Sequence, residues 1–297
     1  MYVIKHKNFF LGVIGALMLG ALLLTFLWKP NFSIEFTGGS LIEGVYTETR
    51  PPVDTINTYI PVDKYGAFKL QPVGEKGLVV RLRTLSQDEH GQVIGLLSDG
   101  TNIFTETNNS TIGPSIGREL RSKAILAIAF VLILIIIFVA YAFRSAGRVV
   151  SSWKFGISVI ICLIHDIFVP TGIFVILSHY FIGYEIDPLF VTALLAILGY
   201  SVADTIVVFD RIRENIRMGS SKETFENLVG RSLSETYVRS INTSLTTVLA
   251  SLAIFFFGGE ATKHFALMLA IGITAGTYSS ILLASPLLVL ISGKKTN

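Results

Sequence analysis

One acid sits inside an apolar run. The run begins at Leu189 and closes with GYSVADTIVVFDRIREN, Gly199 to Asn215, and the acid is Asp204. A carboxylate near mid-bilayer costs roughly 2.5–3.5 kcal/mol on insertion scales, so such a group normally faces a bundle interior and has a partner. A second reading stands beside this one. Asp204 is about six residues, or roughly 9 Å, from the polar end of the run, so it can also reach the interface. Asp210 and the basic residues after it, Arg211, Arg213 and Arg217, mark a cytoplasmic surface.

Three more groups could work with Asp204. His165 and Asp166 lie near the middle of the apolar run Phe155–Leu177, and Arg239 stands at the start of Ile241–Phe257. An acid facing an arginine in a membrane is a compact proton switch: ionised it pairs, protonated it lets go. Burial and a nearby guanidinium act on the carboxylate's charge in opposite directions, and proton relays are a common use of such groups. Plainer roles remain open. His165 can simply hydrogen-bond a backbone carbonyl, and Arg239 can be a positive-inside anchor. Asn242, Thr243, Ser244, Thr246 and Thr247 give the fifth run a polar face suited to close packing or to a wet path. Gly199 and Ser201 are expected to let the fourth helix approach a neighbour closely.

These residues need elements to hold them. The chain has 297 residues, 51% hydrophobic and only 15% charged, whereas soluble chains average about 25% charged. The class is a polytopic α-helical membrane protein. A run from Phe9 to Trp28 is about 20 residues, enough to cross the hydrocarbon core and longer than a secretory h-region, so an uncleaved first helix is expected. Five runs follow a polar segment: Ala124–Phe143, Phe155–Leu177, Leu189–Phe209, Ile241–Phe257 and Phe265–Ile291. Pro170 and Pro286 are tolerated in such helices. The sole cysteine, Cys162, excludes an intrachain disulfide, and the net charge of +3 gives no reason to expect nucleic acid. Neither a metal nor a cofactor is expected.

The polar segment, residues 31–121, reads as a separate extracytoplasmic α+β domain. Alternation around Leu41–Thr47 gives a strand, Val53–Ile60 a short helix, and Ala67–Gln71 with Leu78–Leu85 a hairpin. Ser86 and Glu89 have capping-box spacing for a helix to about Leu97. Asn102–Thr107 is the last strand. The order β-α-β-β-α-β is the ferredoxin-like pattern. Gly38-Gly39 reads as a tight turn, since glycine accepts positive φ; no Lys-Ser/Thr pair follows to make it a phosphate loop.

Orientation follows from the short loops. Arg144, Arg148 and Lys154 join helices two and three, Arg211 to Arg231 join four and five, and Lys294 and Lys295 come last. The opposite loops carry Glu185, Asp187 and Glu260. Both termini are therefore expected in the cytoplasm and residues 31–121 outside. Ser220 with Glu223, followed by Phe225, Leu228, Val229, Leu233 and Tyr237, suggests an amphipathic helix near 220–237, lying on the cytoplasmic surface or packed on the bundle or a partner.

GYSVADTIVVFDRIREN also resembles the signature of the SecD/SecF protein-export family, within the resistance-nodulation-division superfamily. IEFTGGS at Ile34–Ser40, GPSIGREL at Gly113–Leu120, the pair His165–Asp166 and RSINTSLTT at Arg239–Thr247 resemble its SecF members and follow family order. Glu35 stands where that pattern has Asp, so the acid is kept. The resemblance implies a pseudo-symmetric half that pairs with SecD in the lipid membrane, associates with the SecYEG translocon, and uses a proton or sodium gradient to help move unfolded preprotein. A small-molecule or lipid transporter subunit of the same superfamily is the alternative. An intramembrane aspartyl protease would need a dyad, but LIHD and SVAD lack that class's GxGD glycines, so no enzyme is expected.

Overall fold

The computed structural model describes residues 2–98, 102–144, 151–181, 183–218 and 223–293. Arg148, Ser220, Lys294 and Lys295 lie outside them, as does the side chain of Glu260. Six helical spans are long and apolar enough to cross a membrane. The chain divides into two units. One is Met1–Pro30, Ala127–Tyr180 and Leu189–Asn297; the other is Asn31–Leu126 with Phe181–Pro188.

In chain order, α1 (Lys7–Leu27) is followed by β1 (Gly39–Tyr46), α2 (Val53–Tyr59), β2 (Lys69–Val73), β3 (Gly77–Leu82), α3 (Gln87–Leu97) and β4 (Phe104–Ile112). The four strands make one antiparallel sheet in the order β2-β3-β1-β4. Period-two alternation sends Ile42, Tyr46, Leu78 and Val80 to the face where Ile56, Ile60, Val93 and Leu97 complete the core. The capping box forms: Ser86 Oγ accepts from the Glu89 amide at 3.3 Å, and Glu89 accepts from the Ser86 amide at 2.9 Å. The Arg83 guanidinium, then the Ser86 amide, hold the Glu89 carboxyl down at about 2, so the cap keeps its charge well into the acid range. β4 begins two residues later and ends five residues later than the sequence pattern suggests, because the polar run TETNNSTI pairs along β1.

Two sequence motifs meet in this unit. Gly38 and Gly39 have φ of 74° and 138°. A Cβ on Gly38 would lie 2.8 Å from Pro114 Cα, and one on Gly117 would lie 2.7 Å from the Gly38 nitrogen. IEFTGGS thus packs against the start of α4 (Pro114–Ala142) by backbone contact. A Cβ on Gly39 would sit 2.6 Å from the Leu82 carbonyl oxygen. Gly39→Ala is expected to cost about 1–3 kcal/mol in strain. Hydrogen exchange at β1 and β3 amides should quicken in that variant; unchanged exchange would show that the turn is free.

The other unit holds α5 (Ser152–Tyr180), α6 (Pro188–Met218), α7 (Phe225–Phe257) and a last span of α8 (Glu260–Ser279), a π-helical segment Ser280–Ala284 and α9 (Ser285–Ser292). Pro286 accounts for the π segment, since it has no N–H to offer Leu282 and its ring crowds that carbonyl. At one end the rings of Phe143 and Phe155 stack at 5.1 Å, with Phe209 edge-on to both.

The structure differs from the sequence reading at two places. Among the described residues 223–237 no separate surface helix stands, and the alternative of packing on the bundle is the one that forms. Thr224 caps α7, accepting from the Asn227 amide at 3.3 Å, and the helix runs unbroken for 33 residues. No Gly or Pro interrupts residues 231–257, and Leu228, Val229 and Leu233 join the bundle core. Gly199 does not mediate a close approach; a Cβ there would meet nothing within 4 Å. The tight contacts fall at Gly276 against Ser201, at 2.8 Å, at Gly272 against Ile197, and at Gly172 of α5 against Ala21 of α1, at 2.7 Å. Gly199 sits on the exposed face of α6, so its small size is not used within this chain.

Candidate functional site

The α5–α6–α8 interface holds a buried polar line. His165 and Asp166 are both 0% exposed. His165 Nδ1 lies 2.8 Å from Asp166 Oδ1, and His165 Nε2 lies 3.0 Å from the Tyr278 hydroxyl. The Ser201 hydroxyl donates to Asp166 Oδ2. One assignment satisfies every atom: Tyr278 donates to Nε2, Nδ1–H donates to an ionised Asp166, and Ser201 supplies the last donor. Pro170 adds one polar atom here, because it has no N–H to satisfy the Asp166 carbonyl one turn back.

Asp204 follows Ser201 on α6 and is half-buried. It accepts from the Ser280 hydroxyl, at the first residue of the π segment, a kind of helix irregularity found often at functional sites. Gly276 brings the last span close enough for this contact. Asp166 lies within electrostatic reach of Asp204.

Arg239, on α7, lines a cavity of about 150 Å³ together with Asp204, Tyr200, Ser240 and Thr243. Tyr200 fixes one wall, donating to the Thr243 carbonyl at 2.8 Å. Among the described residues no ion pair joins Asp204 and Arg239, and Ser280 holds the carboxylate instead. Arg239 also lines a second cavity of about 350 Å³ with Asp210, Arg211, Glu214 and Glu235. Its side chain therefore stands between the buried acid and a carboxylate-rich end. At that end Asp210 pairs with Arg213 at 2.5 Å and is exposed. Arg211 pairs with Glu235 at 2.6 Å, and Lys7 of α1 with Glu226 at 2.6 Å.

Sequence reasoning picked out His165, Asp166, Asp204 and Arg239, and the structure places the first two in one line and the last two on one cavity. It missed Tyr278 and Ser280 and gave Ser201 a packing role only. The available signal was TYSS at Thr277–Ser280, a polar cluster inside an apolar run six residues before Pro286. Gly38 and Gly39 lie in the other unit and serve the turn.

Six spans, a small antiparallel sheet unit and two carboxylates, one buried and one half-buried, hydrogen-bonded across three helices define a polytopic membrane protein with ionisable groups in its bundle. The family described as protein export membrane protein SecD/SecF, C-terminal, matches residues 95–294. The protein translocase subunit SecF of Thermobaculum terrenum is 39% identical over 275 residues, 89% of this chain and 85% of that one. That of Anaerolinea thermophila is 35% identical over 292 residues, 97% of this chain and 93% of that one. The crystal structure of SecDF, a translocon-associated membrane protein from Thermus thermophilus, superposes with a TM-score of 0.82 at 31% identity, over 98% of this chain and 38% of that one. A SecDF structure in a super-membrane-facing form gives 0.63 at 33% identity, again over 38% of its own length. The chain belongs to the SecD/SecF protein-export family, and its near full-length similarity runs to SecF subunits.

Proposed function

We propose that the chain is the SecF-type half of an ion-driven export device. It pairs with a SecD-type half, works beside the SecYEG translocon, and uses proton or sodium flow to help draw unfolded preprotein across the cytoplasmic membrane. Asp204 is the coupling carboxylate, Arg239 its switch partner, and His165–Asp166 a buried reserve beside them. The observation that carries this reading is that Asp204 and Arg239 line one cavity while Arg239 also borders the acid-rich end. A protonation change at Asp204 alters what the guanidinium can pair with.

Orientation fits the same scheme. Lys7, Lys154, Arg211 and Arg213 belong to the spans' basic ends, which supports both termini in the cytoplasm and residues 31–121 outside. The β-α-β-β-α-β order with sheet order β2-β3-β1-β4 supports a ferredoxin-like domain. Among the described residues β4 has a strand on one side only, so its outer edge can take an extended chain by strand addition. No catalytic role is assigned: Asp166 and Asp204 each have their own donors, which argues against a dyad sharing one proton.

Inverted vesicles carrying the chain with its SecD-type partner and the translocon should export a preprotein faster when an ion gradient is imposed. An ionophore should abolish the difference. Export that ignores the gradient, or gradient-driven efflux of a small solute in its place, would falsify the reading.

A further inference from the structure

The segment Phe181–Pro188 joins α5 to α6, the helices that bear His165, Asp166 and Asp204, yet it clusters with the sheet unit. Three contacts tie it there. The Ile186 amide donates to the Asn31 carbonyl at 2.8 Å, the Ser33 amide donates to the Ile186 carbonyl at 3.1 Å, and Glu185 forms an ion pair with Arg81 of β3. Phe32 and Ile186 form a parallel bridge, although they are far apart in sequence.

The ion pair is not a loose surface contact. The Arg81 and Glu185 side chains are only 20% and 13% exposed. Arg81 is the penultimate residue of β3, paired on both sides, opposite Leu41 on one neighbour and Lys69 on the other, so the sheet holds its backbone rigidly. Glu35 of the IEFTGGS motif and Glu43 of β1 also act on it electrostatically. A half-buried guanidinium amid carboxylates needs a close partner, and removing one side of such a pair leaves the other charge uncompensated.

We infer that Arg81 and Glu185 are positioning residues of the coupling reaction: through them the sheet unit grips the α5–α6 connection and sets the register of the two acid-bearing helices. This rests on the ion-coupled reading above. It assigns a role to residues outside the cluster of His165, Asp166, Asp204 and Arg239, and it explains why the short connection clusters with the sheet unit.

The test uses the complete complex in inverted vesicles. Glu185→Gln and Arg81→Met should each lower the gradient-stimulated part of export about fivefold or more, the size of an ordinary coupling free energy. Gradient-independent export and complex yield should stay unchanged. The exchange Arg81→Glu with Glu185→Arg should recover at least half of the stimulation. A second route avoids charge altogether. Phe32→Cys with Ile186→Cys, placed across the bridge, should restore stimulation to Glu185→Gln when oxidised and lose it when reduced. Single variants that keep the wild-type response would overturn the inference. So would an oxidised bridge that leaves the response lost, because a fixed register would then not suffice. If Glu185→Gln fails to assemble, the exchange variant decides: assembly with normal stimulation supports the grip, and assembly without it refutes it. A wild-type complex that shows no gradient response would instead count against the ion-coupled reading.

Discussion

Asp204→Asn is expected to bring export down to its gradient-independent level while the complex still assembles. The amide keeps the size and polarity of the carboxylate and can still accept from Ser280, so α6 and the last span stay joined. What is lost is the ability to change charge. A membrane potential supplies about 2.3 kcal/mol per charge per 100 mV, and each 1.4 kcal/mol or so is tenfold in an equilibrium. One coupled proton is thus worth roughly a fifty-fold bias in a conformational step, and the variant should forfeit all of it. Arg239→Met should behave the same way. Arg239→Lys should retain part of the response, since a point charge remains without the planar fork. Asp210→Asn is the control. Asp210 is exposed and paired with Arg213, and a surface pair is worth about 0–1 kcal/mol. Gradient-stimulated export at wild-type level in Asp204→Asn would move the coupling site to the His165–Asp166 line.

The second large effect concerns stability. His165→Leu removes two of the bonds in that line and leaves the Asp166 carboxylate, wholly buried, with Ser201 as its remaining side-chain donor. Leaving a buried acceptor without its donor typically costs about 1–3 kcal/mol, and more when the acceptor is charged. The purified complex should therefore lose its folded α5–α6–α8 contact at a clearly lower temperature or denaturant concentration. The double variant His165→Leu, Asp166→Leu should be the milder one, because it leaves no orphaned charge. Thermal unfolding in detergent, read on all three variants, checks this ordering. A double variant less stable than either single one would mean that the line contributes net stability beyond mutual neutralisation.

Both experiments address separate properties of one cluster. Asp204 is half-buried and borders a cavity, the position that the proposed proton coupling requires. Asp166 is sealed, with two side-chain donors and a histidine whose far nitrogen meets Tyr278.

The sequence by itself determined the membrane class and the number of spans, and it set off the polar segment that carries the strands. These are one-dimensional properties. A bilayer demands about 20 apolar residues in a row, and a half-buried strand demands alternation, so both can be read without knowing any neighbour. The Ser86–Glu89 capping box was legible for the same reason, since its partners are three residues apart. The four ionisable groups stood out because charge inside an apolar run is rare. Tertiary structure decided what those groups touch. Tyr278 and His165 are 113 positions apart, Ser280 and Asp204 are 76 apart, and Ser201 and Asp166 are 35 apart. Serine and tyrosine in a span are indistinguishable from packing residues until the facing helix is placed. The same holds for the glycines: Gly199 and Gly276 look alike in the chain, but only Gly276 faces a neighbour at contact distance. The joining of residues 225–237 to the fifth span turned on packing as well, because a capping pattern marks where a helix can begin and the bundle core decides whether it continues. The grip of Arg81 on Glu185 belongs to the same class, since it links a strand to a connection that follows it by about a hundred residues and depends wholly on how the sheet is folded.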